Sequence, residues 1–340
     1  MDTPAFSRRR ALQLGGGAGL VALAGCIGPF ASDDDDADYA QYIGPGEDDE
    51  SFFVYFNLDE DDEVDDDDGG EVDSDDPMLA PILLGAWSLL GAAFALESTS
   101  LNPLIGFGEE TDTDSDTDIR SLLLVSETVV LVGDIDRDEV SELLGESTEA
   151  QGRPAPIQYN QETEDRGYDI YEGEYAVDGD LPDDLALDAD PVAVGDDEII
   201  VGPSERFEQV VDAIEDVSRT TTDDEDFDWL VSTAGGGDIV FGEYIPSGLE
   251  GDVVPDDDEI DDPVDEAIDA IEATLLGIVN GVEVDDNTFE ATLALVFDEA
   301  LNEDEEDSLE EVFGFDGEDL TFEFDDSRVS VTATYSDEDV

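Results

Sequence analysis

The chain has 340 residues, of which 99 are Asp or Glu and only 10 are basic, and its formal net charge at pH 7 is −89. Binding to nucleic acid is excluded, because no basic patch could neutralise phosphates. The chain has no His, no Lys and a single Cys, which excludes a Ser-His-Asp triad, Schiff-base chemistry and a zinc-thiolate site. Paired carboxylates remain possible catalysts, but their abundance makes any one pair uninformative.

The first 25 residues have the layout of a secretory signal. A cationic stretch containing Arg8-Arg9-Arg10 precedes an apolar run of about 15 residues, Ala11–Gly25, which is too short to span a bilayer comfortably. The cationic stretch resembles the twin-arginine export motif, and Leu23-Ala24-Gly25-Cys26 resembles the lipobox of prokaryotic lipoproteins. These resemblances imply export, cleavage after Gly25 and a lipid on the sulfur of Cys26. The alternative is an uncleaved hydrophobic anchor with a chance Cys.

The high content of acidic residues, taken together with the leader and the lipobox, points to one class of organisms. A twin-arginine leader, a lipobox and acids spread over the chain resemble secreted lipoproteins of haloarchaea, although the resemblance covers only the leader and the lipobox. It implies a protein held by lipid on the outer, extracellular face of the cytoplasmic membrane. At molar salt the Debye length falls to about 3 Å, so that self-repulsion is screened. Hydrophobic residues make up 40% of the chain, and we therefore expect a folded core. The alternative for the acids is a polyanion that binds basic partners or metal.

The first predicted half of the fold follows an acidic segment. Residues 26–50 are rich in Asp, Gly and Pro, which predicts a flexible tether. Hydrophobic periodicity then predicts a first α+β half over 51–219. Its predicted elements are a strand at 52–56, a helix at 78–96, a hairpin at 122–125 and 128–132, a short helix ending at Gly145, a strand at 168–176, a hairpin at 192–194 and 199–201, and a helix at 204–217.

A linker over 220–236 is predicted to precede a second half at 237–336, with an acidic tail at 337–340. The predicted elements of this half are a strand at 238–244, a helix from Pro263 with Leu275 and Ile278 on its apolar side, strands at 281–284 and 288–297, a short helix near Ser308, and a hairpin at 320–324 and 328–335.

The two halves share an order of elements. Asp75-Asp76-Pro77 matches Asp261-Asp262-Pro263, and at the same offset of 186 Ser88-Leu89-Leu90-Gly91 matches Thr274-Leu275-Leu276-Gly277. We predict an α+β fold, with antiparallel sheets packed by helices, built by tandem duplication of a β-α-β-β-α-β-β unit. Chance similarity among acidic, Leu-rich segments is the alternative.

The stretch Met78–Leu96 has 19 residues without a charge, and its length suits a membrane span. Pro81, Gly85 and Gly91 interrupt it, and acidic flanks lie on both sides. These features favour a buried core helix; contact with a membrane or partner and a spanning helix are the alternatives.

One acidic loop partly follows the calcium-binding loop of an EF-hand. Asp65 and Asp67 occupy its first and third positions, Gly70 the sixth and Asp73 the ninth. The fifth position is a glycine, and the twelfth is Asp76 rather than Glu. A solvated acidic loop is therefore favoured over a calcium site, and no other cofactor is predicted.

Three functional hypotheses follow. The first is a non-catalytic, lipid-anchored surface module that contacts an envelope protein or has a structural role. The second is a solute-binding lipoprotein of a transporter, with a ligand cleft lined by aromatic residues such as Trp87, Trp229 or Tyr244. The third is a carboxylate-based hydrolase. The missing catalytic residue types favour the first.

Overall fold

The structure, a computed structural model, describes residues 38–43, 51–58, 76–97, 99–105, 115–126, 128–146, 157–175, 189–203, 210, 211, 214, 224–245, 275–285, 288–313 and 317–336. The chain divides into two compact units. Unit 1 comprises Met1–Phe56, Glu60–Trp87 and Ala213–Val340, and unit 2 comprises Asn57–Asp59 and Ser88–Asp212.

Strands outnumber helices in the described ranges. In chain order, the strands are β1 (Ser51–Asn57), β2 (Asp118–Val125), β3 (Thr128–Asp134), β4 (Ile157–Asp165), β5 (Tyr168–Tyr175), β6 (Val192–Val194), β7 (Glu198–Val201), β8 (Ile239–Tyr244), β9 (Leu275–Asp285), β10 (Thr288–Phe297), β11 (Glu318–Asp325) and β12 (Arg328–Ser336). The α-helices are α1 (Ala80–Glu97), α2 (Arg137–Gly145), α3 (Glu225–Ala234) and α4 (Glu303–Val312). Short 3₁₀ turns cover Asp38–Tyr42, Pro77–Leu79 and Asn102–Ile105.

Unit 1 contains antiparallel strands in the order β11-β12-β10-β9-β8-β1. Helix α3 lies on one face, where glycines on β9 permit close approach: a Cβ at Gly281 would lie 2.3 Å from the Ala234 carbonyl oxygen. The start of α1 lies on the opposite face, where a Cβ at Gly85 would lie 3.1 Å from the Phe56 ring and 3.2 Å from Ile239. Both faces of the sheet are therefore covered around β1, β8 and β9, whereas most residues of the edge strand β11 are exposed.

Unit 2 contains antiparallel strands in the order β2-β3-β7-β6-β5-β4. Successive residues of β3, Val129, Val130 and Leu131, are all buried, so both faces of this strand are covered. Helix α2 begins at its N-cap Asp136, whose side chain accepts a hydrogen bond from the Glu139 backbone N–H at 2.9 Å.

The predicted α+β class with antiparallel sheets is confirmed. The predicted hairpins are confirmed as the pairs β2–β3, β6–β7 and β11–β12, and the predicted helices at 78–96, before Gly145 and near Ser308 are α1, α2 and α4. The helix predicted at 204–217 is described at residues 210, 211 and 214, which are helical. These elements share strong local signals, since short turns and capping residues bound them.

Two segments predicted to lie outside the fold contain packed structure. Within the tether predicted at 26–50, the turn Asp38–Tyr42 is ordered, and Tyr39 and Ile43 are 4% and 0% exposed. Within the linker predicted at 220–236 lies α3, which buries four apolar side chains. Both predictions were wrong at these positions because apolar residues at helical spacing stand inside acidic stretches, where composition masks them.

The helix predicted from Pro263 is wrong over its last part. Leu275 and Ile278 lie in β9, which pairs with β10 from Leu275 to Asp285 and with β8 from Gly277 to Val282; residues 263–274 lie outside the described part of the chain. A continuous apolar run fits a doubly covered strand as well as a helix. Strand β4 was not predicted, since most of its residues are polar and exposed.

The predicted tandem duplication is not confirmed. Its longest gapless match pairs Leu89-Leu90-Gly91, which are helical, with Leu275-Leu276-Gly277, which are in a strand. In addition, β1, assigned by the sequence to the first half, pairs with β8 and belongs to the same compact unit as residues 213–340. Each half contains a hairpin, a helix and a further hairpin in that order, but this alignment of the residues does not hold.

The uncharged stretch forms α1 together with the preceding 3₁₀ turn. Met78, Leu79 and Ile82 are fully buried, as are Ala92 and Leu96, as a core helix requires. Among the helices that the structure describes, none is long and apolar enough to cross a membrane.

Candidate functional site

Most of the candidate residues from the sequence lie outside the described part of the chain. These are Arg8 and Arg9 of the export motif, Leu23, Ala24, Gly25 and Cys26 of the lipobox, and the calcium candidates Asp65, Asp67 and Asp73. Among the candidates for export, lipidation and metal binding, Asp76 is the one that the structure describes.

Asp76 is buried in unit 1, with 3% of its surface exposed. One carboxylate oxygen, Oδ1, accepts a hydrogen bond from the Met78 backbone N–H at 3.0 Å, and the other accepts from the Tyr335 hydroxyl at 2.8 Å. The amide nitrogen of Asn280 donates to the Met78 carbonyl at 3.0 Å. The carboxylate therefore caps the 3₁₀ turn that leads into α1 and ties this turn to β12.

A calcium role for Asp76 would have to displace these bonds. In the described ranges, no group of three or more Asp, Glu, His or Cys residues is arranged to hold a metal ion. The structure thus gives Asp76 a structural role in unit 1, and the calcium hypothesis stays a prediction that depends on residues 65–73.

Unit 2 contains a polar cluster around Arg137, the first residue of α2. Its Nη2 donates to the Gly167 carbonyl at 2.7 Å, and its Nη1 lies 3.4 Å from Asp169 Oδ2. Its Nε lies 2.7 Å from Asp196 Oδ1, although without the alignment of a hydrogen bond. One guanidinium thereby connects the start of α2 to the β4–β5 and β6–β7 turns.

The carboxyl group of Glu198 lies beside this cluster. Burial raises its pKa, and Asp197 and Asp196 add to the rise, while the Tyr168 hydroxyl, which donates to Glu198 Oε1, and Arg137 oppose it. Burial is the largest of these causes. A carboxyl group with a raised pKa retains its proton to higher pH and could donate it.

The aromatic residues predicted to line a ligand cleft have packing roles where the structure describes them. The Arg328 guanidinium lies 5.4 Å from the centre of the Trp229 ring and pairs with Asp226 at 2.6 Å. Tyr244 is 3% exposed and its ring centre lies 5.5 Å from that of Phe227. The side chain of Trp87 is outside the described set.

The arginine clusters were missed by the sequence analysis. Their partners lie in turns or helices distant along the chain, such as Asp226, which is 102 positions from Arg328. The scarcity of basic residues could have indicated these clusters. In a chain with 10 basic residues among 340, each Arg is a candidate for binding several carboxylates.

Comparison with known proteins gives little further information. No family model and no curated protein matches the sequence. Among solved structures, the chain is similar to crystal form III of TP0453, with 11% identity and a TM-score of 0.40 over 88% of this chain and 94% of that one. Crystal form I of TP0453 has the same identity and TM-score over 88% and 93%. Similarity at this level supports no assignment of function.

Proposed function

We propose that this protein is a lipid-anchored, salt-adapted extracellular protein that acts as a non-catalytic interaction or structural module towards an envelope partner. The observation that carries the proposal is Leu23-Ala24-Gly25-Cys26, which stands at the end of the apolar run that follows Arg8-Arg9-Arg10. Cys26 is the only thiol of the chain, so no disulfide or thiolate role competes with lipid attachment.

The physical properties of the chain support anchoring in brine. Each buried CH₂ of an acyl chain contributes about 0.8 kcal/mol of membrane affinity, so that two chains hold a protein durably. Acidic side chains of the described helices are solvated: on α2 and α4 the exposed acids include Asp138, Glu142, Glu303, Asp307 and Glu310. A surface of this kind tolerates its own charge best when salt screens it.

The described polar clusters also support a non-catalytic role. Asp76 accepts two hydrogen bonds that organise the entry to α1. Arg137 is engaged by two carboxylates and a backbone carbonyl. Each arrangement has a structural explanation, and general acid-base catalysis through His or Lys is impossible for this chain.

Replacement of Cys26 tests the proposal. Cys26→Ser should either release the protein from membranes or leave its leader uncut, as judged by intact mass and by partition into detergent. Ser32→Ala, also in the predicted tether, is the matched control and should stay on the membrane. Unchanged mass and membrane association of Cys26→Ser would contradict lipid anchoring.

We also propose that the fold arose by duplication of a hairpin–helix–hairpin segment. Strands β2-β3-β7-β6 have the same neighbours as β9-β10-β12-β11, and along the chain a helix, α2 or α4, lies between the two hairpins in each case; β4–β5 would then be an insertion in the first copy. In both helices an apolar residue on the inner face is buried, namely Leu144 and Leu309. Superposition of the two segments tests this: with β4–β5 set aside, their strands and helices should align with one continuous equivalence, and an alignment that needs reordered strands would contradict duplication.

A further inference from the structure

The short segment of residues 38–43, which we term the clasp, is packed onto unit 1. Tyr39, Ala40, Tyr42 and Ile43 are between 0% and 7% exposed. The Tyr39 ring stacks on Tyr55 of β1, with 4.4 Å between ring centres, and lies 5.6 Å from the ring of Phe53. An acidic chain thus places a compact apolar group ahead of its first strand.

A buried hydrogen bond fixes the clasp to the end of α3. The Tyr39 hydroxyl donates to the Gly235 carbonyl at 3.0 Å, across 196 positions of sequence. Burial, followed by the nearby Tyr55, raises the pKa of Tyr39 well above its usual value, so that the hydroxyl keeps its proton. Gly235 leaves room for this contact, because a Cβ there would lie 2.6 Å from the Tyr39 oxygen.

The position of the clasp limits how far unit 1 can lie from Cys26. Cys26 precedes Asp38, the first residue of the clasp, by 12 positions, and Ser51, the first residue of β1, by 25. Twelve residues reach at most about 40 Å, with a root-mean-square span of about 20 Å for a flexible chain. Without the clasp, 25 residues would reach about 85 Å, with a span of about 28 Å.

We propose that the clasp orients unit 1 at a lipid surface: it holds the region around Tyr39 and the α3 end near the membrane and directs the β11 edge away. This rests on the proposed lipid attachment at Cys26. The surface that unit 1 meets in this proposal is the lipid bilayer itself. The exposed residue Gly236 lies on the side of unit 1 that would be near the membrane. Strand β9, beneath Gly236, and β11 are separated by three strand spacings, which is about 14 Å.

Energy transfer to the bilayer tests the orientation. A fluorophore is placed on full-length lipidated protein at Gly236→Cys or at Glu323→Cys of β11; both sites are exposed, and a Cβ at Gly236 meets no atom within 4 Å. The protein is bound to phosphatidylcholine vesicles with an acceptor-labelled lipid, in molar KCl. We expect more efficient transfer from Gly236→Cys than from Glu323→Cys.

Two changes should abolish this difference by separate routes. Tyr39→Ala with Ile43→Ser removes the buried groups of the clasp, whereas a flexible insertion ahead of Asp38 leaves the clasp intact and lengthens the tether. Gln41→Ala, at the exposed position of the same turn, is the matched control and should preserve the difference.

The outcomes separate the two proposals. Equal transfer from both labels in the otherwise unaltered protein, or a difference that survives both the clasp variant and the insertion, would overturn the orientation while leaving the anchor in place. Failure of the labelled protein to bind vesicles, with an unmodified Cys26 by mass, would instead overturn the lipid proposal. Loss of the difference in the insertion variant alone would show that tether length, rather than the clasp, sets the orientation, and would also overturn the inference.

Discussion

Unit 1 and unit 2 each hold a helix against an antiparallel sheet, but they do so with different interactions. Helix α3 of unit 1 turns a fully apolar face to its sheet, whereas α2 of unit 2 buries two side chains. The buried residues of α3 are Phe227, Leu230, Val231 and Ala234, and those of α2 are Val140 and Leu144.

In unit 2 an arginine helps to hold the helix in place, as apolar contacts do in unit 1. Arg137 at the start of α2 contacts two turns through Asp169, Asp196 and Gly167. Its shortest contacts, to Asp196 and to the Gly167 carbonyl, are both 2.7 Å. The contact with the carbonyl involves one charge only, so that salt weakens it less than the pair with Asp196, whose side chain is 82% exposed. The comparison indicates that a strongly acidic chain can hold a helix that buries only two apolar side chains with the help of one well-placed cation.

The largest effect should come from the aromatic centre of unit 1. Phe227 is fully buried, and its ring centre lies 6.2 Å from Phe53 and 5.5 Å from Tyr244. Phe227→Ala should lower the free energy of unfolding by about 3–5 kcal/mol, measured by urea denaturation in molar KCl. Asp228→Ala, on the exposed side of α3, is the control; a similar small loss in both variants would contradict the apolar description of unit 1.

A pair of glycine substitutions should give smaller effects of opposite sign. Gly281→Ala would bring a Cβ to 2.3 Å from the Ala234 carbonyl oxygen, and displacement of α3 should cost about 1–3 kcal/mol. Gly91→Ala meets no atom within 4 Å in α1 and should stabilise by up to about 1 kcal/mol through helix propensity. A Gly281→Ala variant that is as stable as the unaltered protein, or more stable, in urea denaturation would show that α3 does not lie tightly on β9.

The test in unit 2 removes the positive charge of Arg137. Arg137→Gln should lower the free energy of unfolding by about 1–2 kcal/mol, because contacts with two carboxylates and a carbonyl are lost. The part of the loss that comes from the two carboxylates should shrink as KCl is raised further, whereas the part that comes from the bond to the Gly167 carbonyl should remain. Arg120→Gln, at an exposed position on β2, removes the same charge without these partners. Equal losses in the two variants would mean that net charge, and not the arrangement around Arg137, stabilises unit 2.

The contrast also explains which parts of the fold the sequence could predict. The β6–β7 hairpin was predicted because two short, continuous apolar runs, Val192–Val194 and Ile199–Val201, flank Gly195-Asp196-Asp197, and the turn needs no distant partner. Helix α3 was missed although its signal is present: Asp224 caps it, and Phe227, Leu230, Val231 and Ala234 have helical spacing. Its acidic surroundings resembled a linker.

The candidate sites were less predictable than the elements. The bond between Asp76 and Tyr335 joins residues 259 positions apart, and its formation depends on which face of β12 the register directs toward α1. Leu275-Leu276-Gly277 fits a helix or a buried strand equally well until its partners β8 and β10 are known. Local patterns therefore predicted hairpins and caps, whereas the polar clusters required tertiary structure.

The smallest expected effect is a change in the pH dependence of unit 2. Burial raises the pKa of Glu198 above the unfolded value of 4.5, so the folded state binds its proton more tightly. Ionisation of this carboxyl therefore lowers stability as the pH rises from 4.5 through the folded pKa. Glu198→Gln removes this penalty while its amide oxygen can still accept from Tyr168. Relative to the unaltered protein, the variant should gain stability across that pH window and then remain level.

Urea denaturation of both proteins in molar KCl, repeated from below pH 4.5 to neutrality, measures this relative gain. The comparison is made at each pH because the many other carboxylates contribute the same background to both proteins. Glu142→Gln, at an exposed position of α2, controls for the loss of one surface charge. A Glu198→Gln curve that loses stability relative to the unaltered protein as the pH rises would show that the Arg137 charge outweighs burial. The electrostatics of unit 2 would then be those of a paired carboxylate rather than a buried acid.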